Sequence, residues 1–196
     1  SLDIKNQIGI SYVAPFEHLK GYNINRIVRS DSYKEICLRA LQLFDPDIED
    51  MMVFKSDVGN RPVEYLRHKR LGDMPLSTYG DGIKKVLVLS NAIAAATNGI
   101  LLIDEIETAI HKRYYDDIFR FIVKACDAFH VQVFITTHSI EAIDGLLGTQ
   151  DYTKQNDSDA ITVVTLKHER DKTYSRVLSG REVFEDREAF GFEVRL

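Results

Sequence analysis

The sequence predicts an α/β fold in which a parallel sheet is flanked by helices. From Gly82 onward, helical and strand patterns alternate along the chain. Ile100–Ile103 is a run of four large aliphatic residues, typical of a parallel strand buried on both faces. Lys112–Phe129 carries an apolar stripe at helical spacing and leads to a second apolar run, Val131–Thr136. These observations together predict a strand–helix–strand crossover, which we expect to be right-handed.

The elements before Gly82 are predicted from apolar patterning and proline positions. Ile8–Ala14 is apolar, rich in β-branched residues and followed by Pro15, which favours a strand. Asp31–Phe44 has the spacing and the N-terminal cap of a helix. Met51–Lys55 and Val63–Arg70 flank a polar loop, so we expect an N-terminal antiparallel hairpin.

The later elements complete the alternating pattern. Gly82–Thr97 has helical spacing and ends at Asn98-Gly99, which is a typical helix C-terminus. Ile140–Leu147 is predicted to be a short helix, and Ala160–Leu166 with Thr173–Leu178 to form a C-terminal β-hairpin. We therefore divide the chain into residues 1–75, a strand, helix and hairpin region, and residues 76–196, an alternating α/β lobe.

Composition excludes several classes of protein. Hydrophobic residues make up 44% and charged residues 28% of the chain, as in ordinary globular proteins. The longest apolar runs have four or five residues, far fewer than a membrane span needs, so we expect no membrane partner. The 25 basic and 30 acidic residues argue against a dedicated nucleic-acid binder, although a local basic patch stays open. Two cysteines are too few for a disulfide framework and favour a cytoplasmic location.

Polar residues follow both predicted buried strands. Asp104 and Glu105 come directly after the first strand, and His138 and Ser139 follow the second. Ligands of open α/β sheets collect at the carboxyl ends of the strands, and carboxylates at that rim are commonly compensated by a divalent cation. An aliphatic run followed by Asp-Glu is typical of a Walker B strand, in which Asp holds Mg²⁺ and Glu activates water. The alternative is that Asp104 caps a turn and Glu105 lies in solvent.

Three motifs occur in a fixed order: Leu76–Gly82 opening a helix, Leu101–Glu107 followed by Ile110-His111, and Gln132–Ser139. In this order and spacing the chain resembles ABC-type P-loop ATPases, and more narrowly the RecF/OLD-like, AAA-type ATP/GTP-binding proteins. The resemblance covers Met74 to Leu147. It implies an ATPase that binds Mg-ATP at a head-to-tail homodimer interface, with residues 76–196 as its C-terminal lobe.

The resemblance also implies roles for individual residues. Asp104 would hold Mg²⁺ through water, Glu105 would be the catalytic carboxylate, and His138 would hydrogen-bond the γ-phosphate. It leaves open which signature-loop hydroxyl contacts phosphate. The residues implied to contact the nucleotide, in the signature loop, the D-loop and the switch segment, are Ser77, Thr78, Gly80, Gly82, Thr108, Ala109, His111 and Ser139.

One element of such an ATPase is missing from the sequence. A P-loop requires Gly-x-x-x-x-Gly-Lys-[Ser/Thr], and none of the 11 glycines is followed by lysine. We expect a segment absent from this chain to supply the Walker A motif, and the chain alone to be inactive. The start at Ser1, without methionine, is what we expect of a truncated chain. A degenerate relative is the alternative.

Two other functions stay open. The first is a non-catalytic interaction module built on an ATPase fold, and the second is a DNA-processing or defence component. The basic run Arg67–Arg70 is either a DNA-contacting edge or a solvated edge strand that deters aggregation. Tyr114-Tyr115 either stacks on an adenine or packs in the core. An upstream glycine-rich loop would favour the ATPase over the interaction module.

Overall fold

The computed structural model describes residues 8–20, 24–55, 62–152 and 159–190. Within them the helices are α1 (Asn25–Val28), α2 (Asp31–Gln42), α3 (Asp81–Ala95), α4 (Tyr115–Ala128), α5 (Ile140–Leu147) and α6 (Gly180–Phe190). The strands are β1 (Ile10–Val13), β2 (Ile48–Lys55), β3 (Pro62–His68), β4 (Gly72–Pro75), β5 (Ile100–Ile103), β6 (Gln132–Ile135), β7 (Thr162–Glu169) and β8 (Lys172–Ser179). Short 3-10 turns lie at Glu17–Leu19, Leu76–Thr78 and Lys112–Tyr114.

By internal contacts the chain forms two compact units, residues 1–137 and 138–196. The predicted regions 1–75 and 76–196 divide the chain by motif, and that division stays a prediction. Among the described residues, no helix is both long enough and apolar enough to cross a membrane.

The first unit contains a parallel sheet in the order β1-β5-β6. Its register is regular, so Val13 lies beside Ile103, which lies beside Ile135. The chain is thus an α/β protein with a parallel sheet, helices and antiparallel hairpins, which confirms the predicted fold class. The strand predicted near the N-terminus becomes an edge of this sheet, far from β5 in sequence but adjacent to it in space.

One face of the parallel sheet is covered. Val13, Leu101 and Ile103 point to this face and are fully or almost fully buried. Helix α3 contacts β1 and also contacts α4, whose buried stripe includes Ile118 and Ile122. The predicted amphipathic pattern of the crossover helix is therefore correct, although the helix itself begins at Tyr115, after a 3-10 turn.

The opposite face of the sheet is open. Tyr12, Leu102 and Phe134 lie at one level of the register, and their side chains are 59%, 36% and 52% exposed. Ile10 on the same face is 66% exposed. The expectation that these strands are buried on both faces is wrong for this chain. Parallel sheets are normally covered on both sides, and among the described residues of the first unit no layer covers this face.

An antiparallel sheet in the order β2-β3-β4 precedes Leu76–Gly82, the signature-like loop. The predicted hairpin is confirmed by the β2–β3 pairing, and its predicted loop, residues 57–60, falls outside the described residues. The sequence pattern missed β4, a four-residue strand that begins at Gly72, where φ is +76°. This φ favours glycine, and it allows the chain to turn back along β3.

The second unit packs the β7–β8 hairpin against α5 and α6. Its core contains Leu147, Tyr152 and Val183. The bounds of α5 match the prediction, but α6 was not predicted. The missed signal is Ser179-x-x-Glu182: the Ser179 amide donates to the Glu182 carboxylate at 2.8 Å, and the Glu182 amide donates to Ser179 Oγ at 3.2 Å. This capping box starts the helix.

The two faces of β5 allow a test of the sheet description. Ile103→Ala should lower the free energy of unfolding by about 2–5 kcal/mol, because it opens a cavity beneath the covered face. Leu102→Ala, one residue away on the open face, should cost about 1 kcal/mol or less. Urea unfolding followed by circular dichroism measures both values. Equal losses for the two variants would contradict an open face.

Candidate functional site

The carboxyl end of β5 carries an acidic turn, residues 104–107. Its backbone is fixed from both neighbouring strands, because the Asp104 amide donates to the Val13 carbonyl at 2.9 Å and the Ile106 amide donates to the Thr136 carbonyl at 3.2 Å. The sheet ladder therefore continues past the strand ends into the turn. This continuation gives the acidic side chains a defined direction.

Thr136 holds the first two acids together. Its hydroxyl donates to Asp104 Oδ1 and accepts the Glu105 amide at 3.0 Å. A hydroxyl has one donor and two acceptor positions, so both bonds form at once. Sequence reasoning gave Thr136 no role. The strand register would have indicated it: Ile103 lies beside Ile135, so the next residues, Asp104 and Thr136, must also be neighbours.

Glu105 has an uncommon backbone conformation. Its φ is +47°, in the left-handed region that non-glycine residues seldom occupy and that costs of order 1–3 kcal/mol. The Thr108 hydroxyl donates to Glu105 Oε2 at 3.3 Å, and the Thr108 amide donates to the Glu105 carbonyl at 3.0 Å. Ile106, the residue after Glu105, is fully buried and anchors the turn. The local structure thus fixes the Glu105 carboxylate at a half-buried position.

A buried cation lies close to the acidic turn. Lys85, in the first half of α3, is 0% exposed, and its Nζ donates to the Pro15 carbonyl at 3.2 Å. Burial lowers the pKa of Lys85, whereas the carboxylates of the acidic turn, Glu107 first, act to raise it. Lys85 lies one helical turn before Leu89, on the buried side of α3.

The signature-like loop leads into α3. Gly80 is the N-cap of the helix, and Asp81 is the first helical residue and pairs with Lys84 at 3.3 Å. Gly82 packs closely: an added Cβ would lie 3.1 Å from Phe44 Cε1, a tight contact, and 3.5 Å from the Ala109 carbonyl oxygen, an ordinary one. The start of α3 therefore lies against the loop that follows the acidic turn.

The remaining predicted residues of the first unit are placed as follows. Ser77 and Thr78 are exposed, and the Thr78 hydroxyl donates to the Pro75 carbonyl at 2.7 Å. His111 is exposed, and its Nδ1 accepts the Arg113 amide at 3.3 Å, which caps the next 3-10 turn. Ala109 has a left-handed φ of +69°. The roles of these residues toward a nucleotide stay predictions.

His138 and Ser139 belong to the second unit. Ser139 is the N-cap of α5: its hydroxyl accepts the Ala142 amide at 3.1 Å and donates to Glu141 at 3.0 Å. His138 is exposed and directly follows Thr137, whose hydroxyl donates to Glu107 at 2.6 Å. The structure thus brings together Asp104, Glu105 and the Thr108–Ala109 loop in the first unit, while the assignments of His138 and Ser139 stay predictions.

The residues of the acidic turn fit Mg²⁺. Magnesium prefers carboxylate oxygens and keeps most of its water ligands. Asp104 receives hydrogen bonds from Thr136 and, at 3.4 Å, from Tyr12, and an ionised carboxylate has about four acceptor positions. Acceptor positions therefore remain on Asp104 for a metal or for metal-bound water.

A second acidic cluster does not fit a metal. Ligand atoms of Asp45, Asp47 and His68 lie within 4.8 Å of one another. His68 Nδ1 accepts the amides of Arg70 and Leu71, so the proton is on Nε2, which lies 3.2 Å from Asp45. When one ring nitrogen of a histidine binds a metal, the other ring nitrogen carries a hydrogen and donates it. A metal on Nε2 of His68 would therefore need a hydrogen on Nδ1, but Nδ1 accepts two hydrogen bonds. The cluster is a polar clamp between β3 and the loop before β2.

The basic run and the tyrosine pair have structural partners. Arg67 pairs with Asp73 at 2.9 Å, and Arg70 pairs with Asp47 at 2.6 Å, so both arginines of the run are paired with carboxylates of the antiparallel sheet and the loop before it. Tyr115 is 7% exposed and stacks on Phe119, as the core-packing alternative predicted. Tyr114 packs against Phe44, with 4.4 Å between ring centroids.

Residues 18–144 match the family described as "AAA domain, putative AbiEii toxin, Type IV TA system". The chain belongs to this AAA domain family. The match includes the signature-like loop, the acidic turn and the residues after β6. It confirms the P-loop ATPase resemblance that the three motifs predicted.

Two relatives agree with this family. An ATP/GTP phosphatase of Helicobacter pylori is 28% identical over 139 residues, which are 67% of this chain and 36% of that protein. The chain therefore spans about a third of that relative. An uncharacterised protein of Methanocaldococcus jannaschii is 30% identical over 116 residues, which are 59% of this chain and 98% of that protein.

Solved structures of SMC ATPase heads share the fold. One, from work on ATP-driven dimerization and DNA-stimulated activation of SMC ATPases, has a TM-score of 0.54 at 9% identity and covers 86% of this chain and 99% of that chain. An Smc head domain of Pyrococcus furiosus, bound to the C-terminal domain of ScpA, has a TM-score of 0.52 at 10% identity. It covers 83% of this chain and 38% of that chain. At these identities the likeness shows the fold alone.

The Thr136 clamp can be tested by two substitutions. Thr136→Val should lower the free energy of unfolding by about 1–3 kcal/mol, because it removes the hydroxyl that bonds Asp104 and the Glu105 amide. It should also accelerate hydrogen exchange at the Glu105 amide. Thr136→Ser keeps the hydroxyl and is the control for both measurements. Slow exchange at Glu105 in the valine variant would contradict the clamp.

Proposed function

We propose that this chain is the part of an ATP-hydrolysing domain that carries the catalytic carboxylate, with Mg-ATP bound at a head-to-tail dimer interface. The observation that carries the proposal is the acidic turn, in which Thr136 fixes Asp104 beside Glu105 at the carboxyl end of a parallel sheet. This is the edge at which α/β proteins bind nucleotides. Membership of the AAA domain family supports the choice of ATP.

The proposed chemistry is in-line attack of water on the γ-phosphate. When bound, Mg²⁺ would neutralise charge on the phosphate oxygens, and Asp104 would hold it through water. Glu105, half-buried and oriented by Thr108, would position the attacking water and accept its proton. His138 would donate a hydrogen bond to the γ-phosphate and stabilise the charge that develops on it.

We propose that a segment absent from this chain supplies the Walker A motif. The open face of the sheet, at Tyr12, Leu102 and Phe134, supports this, because a parallel sheet needs a second apolar layer. The Helicobacter pylori relative, of which the matched residues form 36%, has length for such a layer. With this layer absent, the isolated chain would not hydrolyse ATP.

The signature-like loop would contact ATP bound by the second subunit. Gly80 and Ser77 are exposed, and α3 is a 15-residue helix whose first amides carry a partial positive charge. Gly82 lies close to Ala109. The two loops proposed to contact the second subunit, the signature-like loop and the Thr108–Ala109 loop, are therefore neighbours. The two cysteines are free and buried, which supports a cytoplasmic location for this dimer.

The proposed function predicts a specific variant phenotype. In the polypeptide that includes the Walker A segment, Glu105→Gln should keep ATP affinity within about threefold and reduce turnover by about a hundredfold or more, because the water loses its base. ATP binding by fluorescence and phosphate release measure the two effects. Glu185→Gln, on the exposed side of α6, is the control. Normal turnover in Glu105→Gln would contradict the assignment.

Two alternatives predict other results. A non-catalytic interaction module would show no phosphate release in any variant, even when the Walker A segment is present. A DNA-processing component would bind duplex DNA with an affinity that falls steeply as salt rises. The internal pairing of Arg67 and Arg70 weighs against a DNA contact through the basic run.

A further inference from the structure

Lys85 is a buried cation that packing alone does not explain. It is 0% exposed, and its neighbours on the buried side of α3 include Val86 and Leu89, which are also fully buried. Moving an ammonium group out of water is costly unless other groups compensate its charge, whereas an aliphatic residue would fill the same space without that cost. Lys85 therefore carries a charge whose burial other groups must compensate.

The contacts of Lys85 show what compensates the charge. Its Nζ donates to the carbonyl of Pro15, two residues beyond β1, and the carboxylates of the acidic turn supply the favourable field. In the described part of the chain, no carboxylate lies within ion-pair distance of Lys85 Nζ. The charge of Lys85 is thus compensated by the acidic turn without an ion pair to any one carboxylate. Asp104 and Glu105 keep their acceptor positions for metal-bound and attacking water.

Lys85 also lies at a mechanical junction. It lies four residues after Asp81, about one helical turn into α3, and it is buried although Asp81 is exposed. Through Pro15 it joins α3 to the segment after β1, and the last residue of β1, Val13, accepts the Asp104 amide of the acidic turn at 2.9 Å. A shift of the loop along the helix axis would move the ammonium relative to both strand ends.

We propose that Lys85 is a positioning residue that couples the signature-like loop to the acidic turn of the same subunit. Contact of the loop with a nucleotide in the second subunit would then adjust the position of Glu105 through α3 and Lys85. This inference rests on the proposed function, because it assigns a route of communication within the same site. It adds a residue that none of the three motifs assigns to catalysis.

The coupling can be measured on the chain itself by hydrogen exchange. Lys85→Met keeps the approximate size and removes both the charge and the bond to Pro15. We expect exchange to accelerate about tenfold or more in residues 104–109 and 14–19, with the rest of α3 unchanged. Lys85→Gln keeps a donor for Pro15 and lacks the charge, so it should loosen residues 104–109 and spare 14–19. Lys84→Met is the control, because Lys84 pairs with the exposed Asp81.

The outcomes separate this inference from the proposed function. Unchanged exchange in residues 104–109 of both Lys85 variants would overturn it, as would uniform loosening of α3, which indicates a packing role. If Lys85→Met does not fold, Lys85→Gln decides the result. In the polypeptide with the Walker A segment, Lys85→Met should lower kcat about tenfold or more and leave the KM for ATP within about twofold. Absence of hydrolysis in the unsubstituted polypeptide would refute the proposed function and leave the exchange result standing.

Discussion

The parallel pairing of β1, β5 and β6 is the constraint on which the candidate site depends. Because their register is regular, the residues that directly follow the ends of β1, β5 and β6 lie beside one another. This places Asp104 next to Thr136 and lets one hydroxyl bond both Asp104 and the Glu105 backbone. A slip of one residue would turn Ile103 to the open face and Leu102 to the covered one. Core packing and site geometry are therefore fixed by the same pairing.

The sequence was sufficient to predict the fold class and the position of Asp104 and Glu105 at the end of an aliphatic strand. Periodicity located α3, α4 and α5, and the acids after β5 were evident from their position behind an aliphatic run. The helix α6 was missed because its signal, a Ser-x-x-Glu capping box, lies beside few apolar residues. Strand β4 has four residues, too short for alternation to be read.

Residues that act through register or burial were not predictable from pattern alone. Thr136 has no special neighbour in sequence and gains its role from β5, more than 30 residues away. Lys85 resembles any helical lysine until its burial is known. The open face also escaped prediction, because an aliphatic run describes which surfaces can be buried, not whether a layer is present to bury them. Long-range placement, rather than local propensity, separates these residues from the predicted ones.

The left-handed backbone of Glu105 has a consequence for how this chain can vary. Glycine would adopt a φ of +47° without strain, so at this position the residue that best suits the backbone is one that has no carboxylate. Under the proposed function, adaptation toward a more stable protein and adaptation toward a working hydrolase would therefore favour different residues at this position. A lineage that no longer needs turnover would be free to relax this backbone, and its members would be recognisable by glycine at this position behind an intact Asp104.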